Sequence, residues 1–314
     1  MSDDTGGIAR RVTEDIPASL DGVRIDRVVS LIADISRSAA SALIAAGGVT
    51  VNGEVVTAGK EKMTQGQTIT VDIAQATGPA LPAADSSRTL DVVYSDDDVI
   101  VVNKDAGLVV HPGAGNQAGT MVNYLLAAYP EIAQVGEPMR PGLVHRLDAG
   151  TTGLVAVART QAAYDSLVEQ LSSRSVTRVY SVVVWGVPIS AHGVIDAPIG
   201  RDQRDPTRMA VVVDGRPSRT HYAVEQRYYV PKECALVECR LETGRTHQIR
   251  VHLASIGHSV VGDPTYSGVR PGLRVKRPML HARELVFDHP RSGERLTFTA
   301  PLPADFVALL ATLS

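Results

Sequence analysis

The chain has 314 residues, 44% of them hydrophobic and 21% charged, with a formal net charge of −3. That length and apolar content support packed cores in two or three domains, and the mild acidity excludes a uniformly basic polyanion binder. No apolar run approaches the ~20 residues a bilayer span needs, since stretches such as VVYSDDDVIVV (92–102) are broken by charge, so no membrane association is expected.

In chain order, the opening MSDDTGGIARRVTEDIP is acidic and lacks an apolar core. It reads as a flexible tail over 1–16 rather than a secretory signal, and the expected location is the cytoplasm. Residues 24–53 carry helix-period apolar positions, then Gly47 and Gly48, then a short strand entering an Asn-Gly turn. Ser36 is the expected N-cap of the second helix, and the two glycines suit its C-terminal end. Strand patterns follow at GVTVNGEVV and GQTITVDI, giving a small α+β unit over 17–74. The Ala-, Pro- and Ser-rich stretch 75–89 has neither apolar period and reads as a linker.

From residue 90 to 314 strand-like runs dominate: LDVVYSD, VIVVN, GLVAVAR, RVYSVVVWG, RTHYAVEQRYY, ALVECRLETG and ERLTFTA. Helices are expected at 119–129, 160–173, 246–256 and 303–313. Alternating strands, few helices and no regular βα repeat predict an α+β fold with a mixed, largely antiparallel sheet. No dinucleotide or Walker signature is present. Cys234 and Cys239, five apart, fall on opposite faces of a strand and predict neither a disulfide nor a thiolate metal site. Charge is uneven: residues 174–295 carry 19 Lys and Arg against 12 Asp and Glu, whereas 1–173 carry 12 against 21. A cationic face on the C-terminal half could track phosphates.

The polar interruption in LVHRLDAGTTGLVAVA (143–158) concentrates chemistry. Asp148 stands where two apolar segments meet, and a carboxylate there needs a cationic partner. Taken alone, an Asp before Gly and Thr also serves as a turn residue that caps backbone N–H groups. His145, His247, His252 and His258 do not have the spacing that places two imidazoles on one helix face, so no metal site is expected. The loop SGVRPGLRVKRP (267–278) holds Arg270, Arg274, Lys276 and Arg277 with no acid, and reads as a mobile surface loop able to clamp phosphates.

Residues 17–74, with RIDRVV, ISRSAASALIAAGGVTVNG and GQTITV, resemble the small RNA-binding domain named after the fourth protein of the small ribosomal subunit. On that resemblance Arg24, Arg27, Arg37, Lys60 and Lys62 are the expected phosphate contacts. The stretch departs from a basic surface, with five basic and six acidic residues. HRLDAGTTGLVAVA, RVYSVVVWG, TGRTHQIRVHLASIGHSVVGDPTYSG and VIVVNKDAGLVVHPG together resemble the pseudouridine synthases of the RluA/RluD type over nearly all of 90–300. Two departures are visible: Asp105 replaces the proline of a Lys-Pro-Ala-Gly turn, and Thr152 replaces a serine after Thr151.

The resemblance implies an RNA isomerase that needs no cofactor and converts specific uridines to pseudouridine, with RNA, large-subunit ribosomal RNA first, as its partner and a monomer as the default state. It implies Asp148 as nucleophile or base, Arg245 as the guanidinium that keeps it charged, Tyr180 as the ring that stacks on uracil, and Arg146 as the residue that enters the RNA stack. A carboxyl buried alone is protonated, which is why the guanidinium is required. Ile249 and Leu253 are expected to line the uracil pocket or to serve as core, since helical spacing alone does not separate the two. The same chemistry on transfer RNA and a non-catalytic RNA-binding or assembly factor are the alternatives; a hydrolase lacks a nucleophile elbow.

Overall fold

The computed structural model describes residues 11–33, 35, 37–72, 81–113, 116–205 and 207–314, with the backbone alone at 37 and 38. The chain divides into two units, Met1–Leu81 and Pro82–Ser314.

In the first unit, β1 (Arg11–Asp15), β2 (Val49–Val51), β3 (Glu54–Val55) and β4 (Thr68–Asp72) form an antiparallel sheet in the order β1-β4-β2-β3. Helices α1 (Ile25–Ala33) and α2 (Arg37–Ala45) present Ile25, Val28, Val29, Ala40, Leu43 and Ile44 to Val49, Ile69 and Val71, a closed apolar core built on the period-3.6 positions seen in the sequence. Asn52 and Gly53, at φ 51° and 86°, make the two-residue primed turn that joins β2 to β3. Gly47, at φ 79°, ends α2 as expected, while Gly48 N–H bonds the Leu43 carbonyl at 3.0 Å. Part of the expected tail is structured: Arg11–Asp15 pairs in register with β4, because its alternating side chains complete the free edge of that strand. The N-cap expected at Ser36 and the first ten residues lie outside the described residues.

The second unit contains β5 (Val92–Ser95), β6 (Val99–Lys104), α3 (Met121–Ala128), β7 (Gly136–Glu137), β8 (Arg140–Pro141), β9 (Thr152–Ala158), α4 (Gln161–Ser172), β10 (Thr177–Trp185), β11 (His192–Asp196), β12 (Ile199–Arg201) and β13 (Met209–Val211). It continues with β14 (Arg219–Tyr228), β15 (Cys234–Leu241), α5 (Gln248–Ser255), β16 (Leu280–Asp288), β17 (Arg295–Thr299) and α6 (Ala304–Leu310). Nine of these strands form one sheet among the described residues, ordered β11-β14-β15-β10-β16-β9-β6-β5 with β17 beside β16. Every pairing is antiparallel except β9 with β16, so the sheet is mixed and largely antiparallel, as expected. The continuous apolar runs of β9 and β10 follow from burial on both faces. Val182 and Val184 pack with α3 and α5 on one side, whereas Val183 and Trp185 pack with α6 on the other. Leu154 and Ala156 meet α4 through Ala163 and Leu167. Among the described residues no helix is long and apolar enough to cross a membrane.

Within the expected linker, 75–80 lie outside the described residues. The remainder is not free chain: Asn123 of α3 donates to the Ala83 carbonyl at 2.6 Å and accepts the Asp85 N–H through its own carbonyl at 2.9 Å. β16 escaped the sequence reading because LHARELVFD begins with a charged interruption and does not alternate cleanly. It nevertheless sits inside the sheet, where β10 and β9 flank it from distant chain and β17 adds to it as a hairpin partner.

One contact ties the sheet to the segment bearing Asp148. Gly153, at φ 108°, opens β9 directly against Ala282 of β16, and a Cβ there would lie 2.2 Å from the Ala282 carbonyl oxygen. Gly153→Ala is therefore expected to lower stability by about 1–3 kcal/mol, read as a fall in thermal midpoint, because both the left-handed backbone and the contact are lost together.

Candidate active site

Residues 143–151 lead from β8 into β9 as a loop that turns at Asp148, whose carbonyl accepts the Thr151 N–H at 3.0 Å. The backbone of this turn is held from below. The carbonyl of Ala149 accepts both the Gly107 N–H, at 2.8 Å, and Lys104 Nζ, at 3.1 Å. Lys104 is almost wholly buried and also donates to the carbonyls of Asp105 and Leu108, at 2.8 and 2.9 Å. Three carbonyl acceptors match the three donors of an ammonium. The 104–108 turn thus closes through Lys104 and Gly107 although Asp105 stands where a proline was the expectation. Burial pulls Lys104 down to about 7, against the opposing pull of the Asp148 charge.

The guanidinium that holds Asp148 is Arg250, not Arg245. Arg250 Nη1 lies 2.9 Å from Asp148 Oδ2, while Nε and Nη2 grip Asp263 at 2.6 and 2.8 Å and Nη2 reaches Thr265 Oγ1 at 3.1 Å. Asp263 is fully buried and also accepts the N–H groups of Thr265 and Tyr266, so the far side of the guanidinium is rigid. Burial works against the Arg250 charge, but the bond to Asp263 and the charge of Asp148 outweigh it and raise its pKa. Arg245 lies three residues before α5. His247, at φ 58°, turns the chain into the helix, and this separates Arg245 from the helical face that carries Arg250. The Nε of Arg245 instead donates to the Pro217 carbonyl at 3.4 Å, and its side chain lines the outer wall of the same cavity. The signal for Arg250 was present in the sequence: it falls within the expected helix 246–256, with an acid, Asp263, in the GDPTY segment to anchor it.

Asp148 and Arg146 stand between two cavities of about 600 and 980 Å³, within or near the size range of small-ligand sites. Tyr180, Ile249, Leu280 and Arg178 line the first. Tyr180 faces it from β10, largely buried; burial raises its pKa, with Arg178 opposing and Asp148 reinforcing the shift, so the phenol stays neutral. Leu253 is not in the cavity. It is fully buried in the core with Val182 and Val237, because it lies one turn deeper along α5 than Ile249. Arg178 is also buried, and its Nε has no hydrogen-bond partner among the described residues. His145 accepts the Ala156 N–H at 2.9 Å through Nε2, and burial, with Arg178 beside it, lowers it to about 3, so it is neutral.

Arg146 is exposed, its Nη1 3.3 Å from His111 Nε2, while His111 Nδ1 meets the Pro112 carbonyl at 2.8 Å. His252 is held between Thr220 and the Ala197 carbonyl, and His258 by the Trp185 carbonyl.

The loop 267–278 is fastened rather than loose. Trp185 Nε1 donates to the Gly268 carbonyl at 2.7 Å, and Leu273 is buried beside Phe306. Arg277 is no phosphate contact: it is buried, forks onto Asp305 at 2.7 and 2.8 Å, and donates to the Gly150 carbonyl at 3.2 Å, next to the Asp148 turn. Arg274 and Lys276 are exposed, and Arg270 is exposed with its guanidinium 5.5 Å above the Trp185 ring. In the first unit Arg27, Lys60 and Lys62 are exposed, whereas Arg24 is paired with buried Asp26 at 2.7 Å. Arg37 opens α2, and its side chain lies outside the described ones.

Residues 98–255 match the family described as RNA pseudouridylate synthase, and 23–69 match the S4 domain. The chain belongs to the RNA pseudouridylate synthase family. It is 44% identical to an uncharacterized RNA pseudouridine synthase of Bacillus subtilis, over 92% of this chain and 94% of that protein. It is also 44% identical to the ribosomal large subunit pseudouridine synthase D of Neisseria meningitidis, over 99% of this chain and 86% of that one. Human RNA pseudouridylate synthase domain containing 1 superposes with a TM-score of 0.59 at 29% identity, covering 73% of this chain and 90% of that structure. The synthase resemblance and its fold therefore hold, and the chain is an enzyme of the isomerase class rather than a binding factor alone.

Two outcomes test the site. Arg250→Leu leaves Asp148 and Asp263 without their cation, with an expected loss of about 3–5 kcal/mol in stability, whereas Arg245→Leu leaves the melting transition within about 0.5 kcal/mol of the parent, both measured by denaturant titration. Lys104 binds its proton more weakly folded than unfolded. Stability relative to Lys104→Met therefore rises as pH increases from about 7 towards 10, where the unfolded chain still holds the proton that the fold has released. Parallel melts of the two proteins across that range check the sign.

Proposed function

We propose that this chain isomerises specific uridines in large-subunit ribosomal RNA, in the cytoplasm, as a monomer working in ribosome biogenesis. The observation that carries the reading is the carboxylate of Asp148, held by Arg250 at the junction of two cavities with the Tyr180 ring in the wall of one. The substrate class is supported by the extended similarity to synthases named for the large ribosomal subunit, together with the S4 match at 23–69.

In this reading the target nucleotide leaves its helix and its uracil enters the cavity beside Tyr180 and Ile249. Arg146, exposed and steadied by His111, takes the vacated place in the stack, where a planar guanidinium packs well against bases. Asp148 attacks the sugar or removes a sugar proton, and the bond from C1′ to N1 breaks. The bond from Arg250 Nη1 fixes the orientation of the carboxylate that either role needs. The freed uracil turns while stacked on the Tyr180 ring, then C5 bonds to C1′ as the ester bond from Asp148 to C1′ breaks or, on the proton-abstraction route, as Asp148 returns the proton to the sugar. The C5 hydrogen leaves as a proton and N1 regains one, so no atom is gained or lost and no redox carrier takes part. A neutral phenol suits stacking and hydrogen bonding better than proton abstraction. Arg245 and Arg178 supply further positive charge along the cavity wall. Arg270, Arg274 and Lys276, with Arg27, Lys60 and Lys62 of the first unit, meet phosphates.

The test is tritium release from uracil C5 in unmodified ribosomal and transfer RNA transcripts. Release from ribosomal RNA by the wild type, with a loss of at least about a thousandfold in Asp148→Asn, is the expected result. Release from transfer RNA alone moves the substrate, and release from neither overturns the reading.

A further inference from the structure

His247 is set up more elaborately than a helix start requires. It is a non-glycine residue in the left-handed region, at φ 58°, a conformation that costs free energy and concentrates at functional sites. Its Nδ1 lies 2.8 Å from Tyr266 Oη. That oxygen accepts the Met209 N–H at 3.1 Å, and the Tyr266 ring is packed by the guanidinium groups of Arg250 and Arg208, at 5.1 and 5.2 Å. With one lone pair of Tyr266 Oη taken by the Met209 N–H, every group is satisfied when the Tyr266 hydroxyl donates to His247 Nδ1. The imidazole then carries its single proton on Nε2. Burial, Arg250 and Arg146 lower the pKa of His247 against the pull of Asp148 and Asp263, which keeps it in this neutral form.

The Nε2 of His247 is 3.9 Å from Asp148 Oδ1, the carboxylate oxygen that Arg250 does not hold. That separation is too long for a hydrogen bond and suits one oxygen placed between the two groups, within about 2.8 Å of each. Such an oxygen must accept from Nε2–H and donate to the carboxylate. A hydroxyl does both. His247 also lines both cavities that meet at Asp148. The hydroxyl nearest the reacting carbon of a nucleotide at Asp148 is the ribose 2′-hydroxyl, the group that distinguishes RNA from DNA.

We propose that His247 and Asp148 bracket the 2′-hydroxyl of the target nucleotide, making His247 a specificity-determining residue that selects ribose over deoxyribose at that position. The assignment rests on the synthase reading of the Asp148 site. Tyr266 acts as a positioning residue, fixing which imidazole nitrogen bears the proton.

The test uses the full chain and an RNA hairpin bearing the uridine mapped by tritium release, synthesised with ribose or 2′-deoxyribose at that nucleotide alone. Dissociation constants are measured in the Asp148→Asn background, which prevents turnover; its single oxygen faces Arg250, and the hydroxyl is still met by the Nε2–H of His247. Removing the hydroxyl is expected to weaken binding about tenfold with His247 in place. In His247→Asn, which tolerates the left-handed backbone but is too short to reach, that penalty is expected to shrink to about twofold; in His247→Gln, whose amide N–H extends as far as Nε2, it is expected to return. A penalty of equal size in His247 and His247→Asn proteins, or no penalty with His247 present, overturns the assignment. General misfolding weakens both hairpins alike and leaves the ratio unchanged, so it cannot imitate the expected result. A wild type inert on every RNA overturns the synthase reading instead, and is seen before any variant is made.

Discussion

A guanidinium shared between a fully buried carboxylate and a largely buried one governs the architecture of this molecule's second unit. Arg250 is committed to Asp263 through two nitrogens, and the third is aimed at Asp148. Charged groups shielded from water are stabilised only when their geometry is nearly ideal, so helix α5, the GDPTY turn and the 143–151 loop are obliged to keep a fixed relation. Asp148 is thereby held in place by the same contact that joins the 143–151 loop to α5 and the GDPTY turn. The strain at His247 becomes intelligible in this light: the chain must turn sharply to place Arg250 in the first buried turn of α5 while leaving an imidazole at the cavity.

Two further buried cations secure the backbone on which Asp148 sits. Lys104 holds the carbonyl of Ala149, and Arg277 holds that of Gly150. Each has additional acceptors from its own neighbourhood, so neither depends on the Asp148 turn alone. The effect is a loop whose side chains are partly exposed to the cavities while its main chain is as constrained as a strand. This arrangement matches what chemistry on an everted base requires, because a carboxylate displaced by an ångström loses the alignment on which rate depends. It also explains how a chain of net negative charge builds a locally cationic site: the excess of basic residues over 174–295 is spent as much on internal carbonyls and carboxylates as on surface available to RNA.

Much of the fold was legible in residue patterns. The primed turn at Asn52 and Gly53, the end of α2 at Gly47, the runs that became β6, β9, β10, β14 and β15, and the four helices of the second unit all follow from local chemistry and period. Local signals failed where partners came from afar. Arg11–Asp15 reads as tail until β4 offers it an edge, and Leu280–Asp288 has an irregular pattern because its two flanks meet different environments. Arg277 and Leu253 show the same limit in side chains. A run of basic residues in a Gly- and Pro-bearing loop implies solvent, yet Arg277 turns inward to Asp305. Two apolar residues one helical turn apart imply one face, yet only Ile249 borders the cavity.

By itself the sequence determined the class of fold, the order of the two units, the family and which carboxylate is the candidate for the chemistry, because these depend on residue type and near-neighbour spacing. Which arginine serves Asp148, which cations are structural, and the pairing of His247 with Tyr266 were decided only in three dimensions. The reason is that hydrogen bonds and ion pairs are satisfied by position within a few tenths of an ångström. Residues 102 apart along the chain, such as Asp148 and Arg250, acquire that position only when the sheet and α5 have closed around them.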